Sequence, residues 1–301
     1  KQSINWNDYE PPVPHFTGVR AFNNISVSEL IPYIDWTPFF ASWELKGKYP
    51  TIFRDAFVGE EAKKLYDHAQ EMLDLIVKEN RLQSNAVAGI FSANSVGDDV
   101  VIYNKENGHV CDTIHFLRQQ RKKADGLSYY CLSDFIAPVD SGKLDFIGAF
   151  AVTAGIGIES WVKMYEKQHD DYNAIMMKAL ADRLAEALAE YMHEKVRKEI
   201  WGYVPSEQLN NEALIDEKYQ GIRPAPGYPA CPDHTEKDTI WRLLDTEKNT
   251  GITLTESKAM YPAASVSGWY FSHPESKYFG LGNISKDQVL DYAKRKEMDV
   301  K

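Results

Sequence analysis

Apolar side chains in this chain follow two rhythms, and the change from one to the other divides it. From Val58 to Asn80 the positions Ala62, Leu65, Ala69, Met72, Leu73 and Ile76 recur at helical spacing, which predicts an amphipathic helix with one face in the core. A longer stripe of Ile175, Met176, Leu180, Leu184, Leu188, Tyr191, Met192 and Val196 predicts a second helix over 170–200, and core packing accounts for it. Between them, 86–91, 99–103, 109–116, 129–137 and 146–153 are short runs rich in β-branched and aromatic residues, the composition of strands. Asn107-Gly108 separates the second run from the third and marks a tight hairpin, so those two strands pair antiparallel. No helix-length pattern separates successive strands, which argues against a doubly wound parallel sheet.

The tail alternates again. Residues 239–246 read as helical, 252–256 and 265–272 as strands, and Ser285 opens a last helix through Arg295 with Ser285-Lys-Asp-Gln288 as a capping box. At the other end Tyr9-Glu-Pro-Pro-Val-Pro14 disfavours helix and no periodicity precedes Val27, so 1–20 reads as an extended linker arm and 21–301 as the folded domain. Such an arm, with a first residue other than methionine, suits a piece of a longer polypeptide.

Composition narrows the function. With 301 residues, 44% of them hydrophobic, the chain can bury a large core, so disorder is not expected. A net charge of −10 argues against nucleic acid as a partner. No apolar run is long enough to cross a membrane and Lys1–Pro14 lacks the apolar stretch of a signal peptide, so a cytoplasmic, soluble protein is expected. Cys111, Cys131 and Cys231 have no metal or disulfide spacing and are expected as buried free thiols. Gly155-Ile-Gly157 lacks the third glycine and the βαβ setting of a dinucleotide loop. His193-Glu-Lys-Val-Arg197 falls one residue short of a zinc motif, since arginine cannot ligate a metal. His169-Asp170-Asp171 sits where a helix begins, and capping explains it better than cation binding.

One segment is neither helix nor strand. Arg223-Pro-Ala-Pro-Gly-Tyr-Pro-Ala-Cys-Pro-Asp-His234 has four prolines that fix φ and delete donors, so it must be a rigid loop. Arg223 offers a planar fork for a carboxylate, Gly227 permits close backbone approach, and Tyr228 adds an aromatic face. The other reading is a structural loop whose arginine makes an ordinary salt bridge. In Tyr33-Ile-Asp-Trp-Thr-Pro-Phe-Phe40, Asp35 lies between apolar neighbours and needs a partner, either a cationic ligand group or the N–H groups of a turn starting at Trp36. One carboxylate, one arginine and the tyrosines suit a zwitterionic amino acid with an aromatic or cationic extension.

These two segments, with Gln168-His-Asp-Asp-Tyr172, 178–186 and Val266-Ser-Gly-Trp-Tyr-Phe-Ser-His273, closely resemble the C-terminal activation domain of cobalamin-dependent methionine synthase. Arg223-Pro-Ala-Pro-Gly-Tyr228 matches the R-x-x-x-G-Y motif by which that family binds S-adenosylmethionine. The resemblance implies an α+β fold, a single C-shaped domain with a twisted antiparallel sheet flanked by helices. It implies that Arg223 holds the ligand carboxylate, Asp35 meets its amino group, and main chain at Ala225 contacts the adenosine. Gly227 and Tyr228 complete the motif, and Tyr278 and Phe279 line the pocket with Glu186 and Glu217 nearby. Phe279 lacks the hydroxyl of a tyrosine that the family can carry there. The implied task is reactivation of a methyltransferase: oxidised cobalamin is restored with one electron from flavodoxin or a flavoprotein reductase and a methyl group from S-adenosylmethionine. The D-x-H-x-x-G cobalamin motif is missing, so cobalamin is expected on another domain and this chain alone is not expected to turn over. Arg118, Arg121, Lys122 and Lys123 form a basic run that either docks acidic flavodoxin or is a solvated loop. A scaffold that docks the cobalamin and flavodoxin domains without a ligand is the rival reading.

Overall fold

The most buried strand organises the architecture, for every residue of Asp145–Ile156 before the last is buried. Its alternate side chains go to opposite sides. Phe146, Phe150, Val152 and Ala154 join one core, and Ile147, Ala149 and Ala151 join the other. A strand apolar on both faces needs cover on both, and the rest of the fold supplies it.

The computed structural model describes residues 4–124 and 126–299. Its strands are β1 (Gly18–Ile25), β2 (Gln83–Val96), β3 (Asp99–Tyr103), β4 (Val110–His115), β5 (Asp145–Ile156), β6 (Thr253–Leu254), β7 (Met260–Tyr261) and β8 (Ser265–Tyr270). The main sheet runs β4-β3-β2-β5-β8, β1 also pairs with β2, and β6 with β7 forms a separate ribbon. Every named pair is antiparallel. The helices are α1 (Val27–Leu30), α2 (Thr37–Ser42), α3 (Gly59–Glu79), α4 (Ile158–Lys167), α5 (Asp171–Lys195), α6 (Asn211–Ile215), α7 (Glu236–Leu244), α8 (Thr246–Thr250) and α9 (Lys286–Arg295). Helix α5 packs on one face of the sheet with α3 and α4 against it, and Leu73, Trp161, Leu180 and Leu184 share one core with Phe150. On the other face α7 brings Ile240 and Leu244 against Ile147 and Trp269.

Both long helices lie where the periodicity puts them, and Asp170 caps α5 by accepting from the Asn173 N–H at 3.0 Å. The Asn107-Gly108 hairpin joins β3 to β4, with Tyr103 opposite Val110. From Val196 to Ile200 the end of α5 widens into a π-turn, a rare feature found frequently at functional sites. That turn leaves Arg197 fully buried.

Several expectations need correction. Residues 129–137 are not a strand: their apolar side chains fill the second core, but Leu132–Phe135 is a 3-10 turn locked by Asp134, which accepts from the Cys131 N–H. Strand β1 lies inside a stretch read as aperiodic, because as an edge strand it leaves most residues exposed and shows no apolar alternation. Helix α4 was not foreseen. The arm is extended but docked: Trp6 and Tyr9 pack on His273 with tilted rings whose centroids are 5.0 and 4.3 Å away, and Trp201 Nε1 donates to the Pro12 carbonyl at 2.9 Å. The Ser285 capping box does not form, because its hydroxyl donates to Gln120 and the Gln288 amide binds both backbone groups of Arg118. Cys131 and Cys231 are buried, whereas Cys111 is exposed on β4.

Candidate functional site

The proline-rich loop is laid along the free edge of β8. Ile222 and Phe271 exchange backbone hydrogen bonds at 3.0 Å, and the Trp269 N–H donates to the Pro224 carbonyl at 2.9 Å. Gly268 makes this approach possible, since a Cβ there would stand 2.6 Å from that carbonyl. Beyond Pro224 the chain turns on itself: Gly227, at φ +97°, donates to the Cys231 carbonyl at 2.7 Å and Cys231 donates back to Tyr228 at 2.9 Å. The freedom of Gly227 therefore serves the turn and the His234 ring packed against it.

Arg223 leads into the turn with its side chain held on three sides. Nη2 pairs with Glu190 Oε2 at 2.8 Å, while Nη1 donates to Tyr219 Oη at 2.9 Å and lies 3.3 Å from His193 Nδ1. Its backbone N–H donates to Tyr278 Oη at 3.0 Å, and the Tyr278 and Tyr219 hydroxyls are 3.2 Å apart. Glu190 and His193 stand on consecutive turns of α5, with Glu186 one turn earlier and Arg197 one turn later. Arg197 forks onto Glu207 through Nε and Nη2, and its guanidinium lies 4.6 Å over the Tyr219 ring. Burial outweighs the neighbouring arginines and pushes the Glu186 and Glu190 carboxyls above the usual range. Burial, with Arg197 and Arg223 adding to it, holds His193 well below an ordinary histidine, so it is neutral.

Beside Arg223 opens a cavity of about 510 Å³, whose lining includes apolar side chains, among them Phe150, Val266, Ala225, Pro229 and Phe279, and the polar Glu186, Glu217, Tyr228 and Tyr278. Of the residues singled out in the sequence, Arg223, Ala225, Tyr228, Tyr278, Phe279, Glu186 and Glu217 converge on this one space. Gly227 lies just outside it. Asp35 is half-buried and accepts from the Thr37 N–H at 2.9 Å, the turn-capping alternative, and it does not line the cavity. Its segment abuts α6, however, where Asn211 donates to the Ile34 carbonyl at 3.2 Å, and the chain after α6 carries Glu217. A larger opening of about 590 Å³ lies elsewhere, but its charges are satisfied internally, Arg242 by Asp112, Lys258 by Asp238 and Lys296 by Glu236.

Glu190, His193, Arg197 and Tyr219 are the site residues that sequence reasoning missed. The signal was the spacing of Glu186, Glu190, His193 and Arg197, a polar stripe beside the apolar one on the same helix. The basic run divides. Arg118 is tied inside the fold, with Nη1 on Asp134 and Nη2 on Asp98 both at 2.6 Å, so it is not a docking side chain. Lys123 reaches Gln119 and the Ser128 carbonyl at 2.6 Å, and only Arg121 and Lys122 of the four are exposed.

An arginine with open donors, in a cavity lined also by apolar and aromatic side chains, suits an amino acid joined to a flat, largely apolar body. The crystal structure of the MetH reactivation domain bound to AdoHcy resembles this chain with a TM-score of 0.95 and 57% sequence identity, over 99% of this chain and 91% of that one. The family described as vitamin B12 dependent methionine synthase, activation domain, matches residues 26–297. With nearly the whole folded part so matched, the chain belongs to the family of vitamin B12-dependent methionine synthase activation domains.

Proposed function

We propose that the chain binds S-adenosylmethionine in the Arg223 cavity and presents its methyl group to cobalamin carried by a neighbouring domain, reactivating a methyltransferase of which it is one part. The observation that carries this is the donor count at Arg223. A guanidinium has five N–H groups, three contacts to His193, Tyr219 and Glu190 engage it, and two donors remain for a carboxylate. Phe150, Val266, Pro229 and Phe279 offer the adenosine portion an apolar wall. Glu186 and Glu217, which line the cavity, are the carboxylates assigned to the cationic end; Asp35 stands outside the lining and is assigned to the ammonium only where the ligand extends beyond the cavity. AdoHcy, bound by the similar reactivation domain, is the product left when S-adenosylmethionine gives up its methyl group.

A sulfonium methyl is already electrophilic, so this chain's side chains need supply neither nucleophile nor base; their work is to bind and orient. Cobalamin, when its domain docks, supplies the nucleophilic metal centre. Arg121 and Lys122, exposed on an acidic chain, are assigned to docking of flavodoxin or a flavoprotein reductase in the cytoplasm. No helix among the described residues is long and apolar enough to cross a membrane. Calorimetric titration of S-adenosylmethionine into the purified chain tests the reading. Saturable binding that is lost in Arg223→Ala is expected, and no binding at millimolar ligand would leave the scaffold as the better account.

A further inference from the structure

Arginine is a flexible side chain, and ordering it as a ligand arrives costs affinity. In this protein the ordering is already done. His193 Nδ1 and Tyr219 Oη both face Nη1, at 3.3 and 2.9 Å, and so take up both of its hydrogens. Because Nδ1 faces a guanidinium, it must be the accepting nitrogen, which places the ring proton on Nε2. The imidazole cannot swing away, since it lies flat against Tyr270 (5.2 Å, 10°) and edge-on to Tyr219 (4.7 Å, 80°). Tyr270 is itself stacked on Phe150, a wall of the cavity, at 4.6 Å. The Tyr219 ring is also held by Arg197, whose guanidinium lies 4.6 Å over it and which Glu207 fixes at the π-turn. The charged groups that face His193 are thus Arg223, Arg197 and, one turn away, Glu190.

We propose that His193 and Tyr219 are positioning residues for Arg223: by accepting both Nη1 hydrogens they hold the guanidinium so that its Nε and remaining Nη2 hydrogens meet the ligand's carboxylate. This rests on the reading of the cavity as a site for S-adenosylmethionine. Neither residue touches the methyl group or the sulfur, and their effect is confined to the carboxylate end.

That confinement gives a readout which a merely structural role would not move. S-Adenosylmethionine and decarboxylated S-adenosylmethionine, which lacks only the carboxylate, are titrated into the wild-type chain, His193→Phe and Tyr219→Phe. His193→Phe keeps the aromatic stack and removes the acceptor, and it also removes an Nε2 that is buried without a partner. S-Adenosylmethionine binding is expected to weaken about tenfold in each variant, the scale of one hydrogen bond to a charged group, while the decarboxylated ligand binds as to wild type. Equal loss for both ligands, or loss for neither, overturns the proposal. Should His193→Phe fail to fold, Tyr219→Phe makes the same comparison without changing ring shape. Arg223→Ala serves as the control in which the preference for the carboxylate disappears. If wild type binds neither ligand, the cavity reading itself fails and the positioning role falls with it.

Discussion

Replacing Arg223 by alanine probes the binding site and its support together, because this side chain serves two carboxylates, the proposed ligand's and that of Glu190. The Glu190 side chain is 9% exposed, and the nearest other cation, Arg197 Nη1, is 3.9 Å from its Oε1 and belongs to a guanidinium already forked onto Glu207. Breaking a buried pair from one side costs about 3–5 kcal/mol. Residual attraction to Arg197 and the ability of Glu190 to take up a proton reduce this to roughly 2–3 kcal/mol. The pH dependence follows from the sign of the shift. The Glu190 carboxyl is already raised above its value of 4.5 by burial, and losing Arg223 raises it further. An acid whose folded pKa is raised costs stability as pH climbs from the unfolded value toward the folded one. The deficit of Arg223→Ala relative to wild type is therefore smaller at pH 5 than at pH 8. Adding Glu190→Gln removes the uncompensated charge, restores roughly 1–2 kcal/mol and flattens that slope. Ligand affinity does not return in the double variant, because the carboxylate fork is still missing, a loss of roughly 1.5–3 kcal/mol or about ten- to a hundredfold in Kd. Urea unfolding at the two pH values and calorimetry with S-adenosylmethionine separate the two effects. A single variant that is destabilised yet binds the ligand as wild type does would refute the reasoning and make Arg223 an ordinary salt bridge.

Three further outcomes follow from the same geometry. Gly268→Ala sets a methyl group against the Pro224 carbonyl and 2.9 Å from the Phe150 ring, so it should cost roughly 1–3 kcal/mol and weaken ligand binding, as both neighbours line the cavity; unchanged melting and affinity would show that the loop is not seated on β8. His273 is held down to about 4 by burial while its Nδ1 accepts from the Glu275 N–H; a histidine kept neutral in the fold loses stability as pH drops from its unfolded value of 6.5 toward 4, so roughly 1–2 kcal/mol should vanish between pH 7 and 5. Its partners Trp6 and Tyr9 should then become protease-sensitive, a change that His273→Phe would abolish, and an arm equally protected at both pH values would contradict the argument. Reversing the charges of Arg121 and Lys122 should slow flavodoxin association several-fold at low salt, while stopped-flow rates unaffected by the reversal would remove the docking assignment.

What was legible in the sequence is what local periodicity records. Helices α3 and α5 lie under apolar stripes that their own packing requires, and the hairpin marked by Asn107-Gly108 is closed by local hydrogen bonds, from Asn104 to the His109 carbonyl and from Gly108 to the Asn104 carbonyl. Strand β1 is different, since Arg20, Ala21, Asn23 and Asn24 are all exposed and only pairing with β2 makes them a strand. Residues 129–137 fail in the opposite direction. Their composition is that of a strand, but Asp134 cannot be buried in a sheet without a cation, and the need to meet Arg118 bends the segment into a turn. In both cases a contact distant in sequence decides, and no local pattern registers it.

The candidate site was half visible for a related reason. Proline rigidity marked the Arg223 loop and made its arginine conspicuous, but two of the groups that govern that arginine, Glu190 and His193, sit on α5, about thirty positions away for His193. An apolar stripe that explains how a helix packs says nothing about its neighbouring face. On α5 that face carries Glu186, Glu190, His193 and Arg197, and the near-match of His193-Glu-Lys-Val-Arg197 to a zinc motif follows from the same geometry. Residues four apart on a helix point the same way, which on a zinc helix converges two imidazoles on one ion. Here it brings a neutral imidazole and a guanidinium onto one tyrosine ring, with His193 4.7 Å and Arg197 4.6 Å from Tyr219. The arginine that disqualifies the metal reading is therefore what makes the other arrangement work, since it fixes the ring whose hydroxyl holds Arg223.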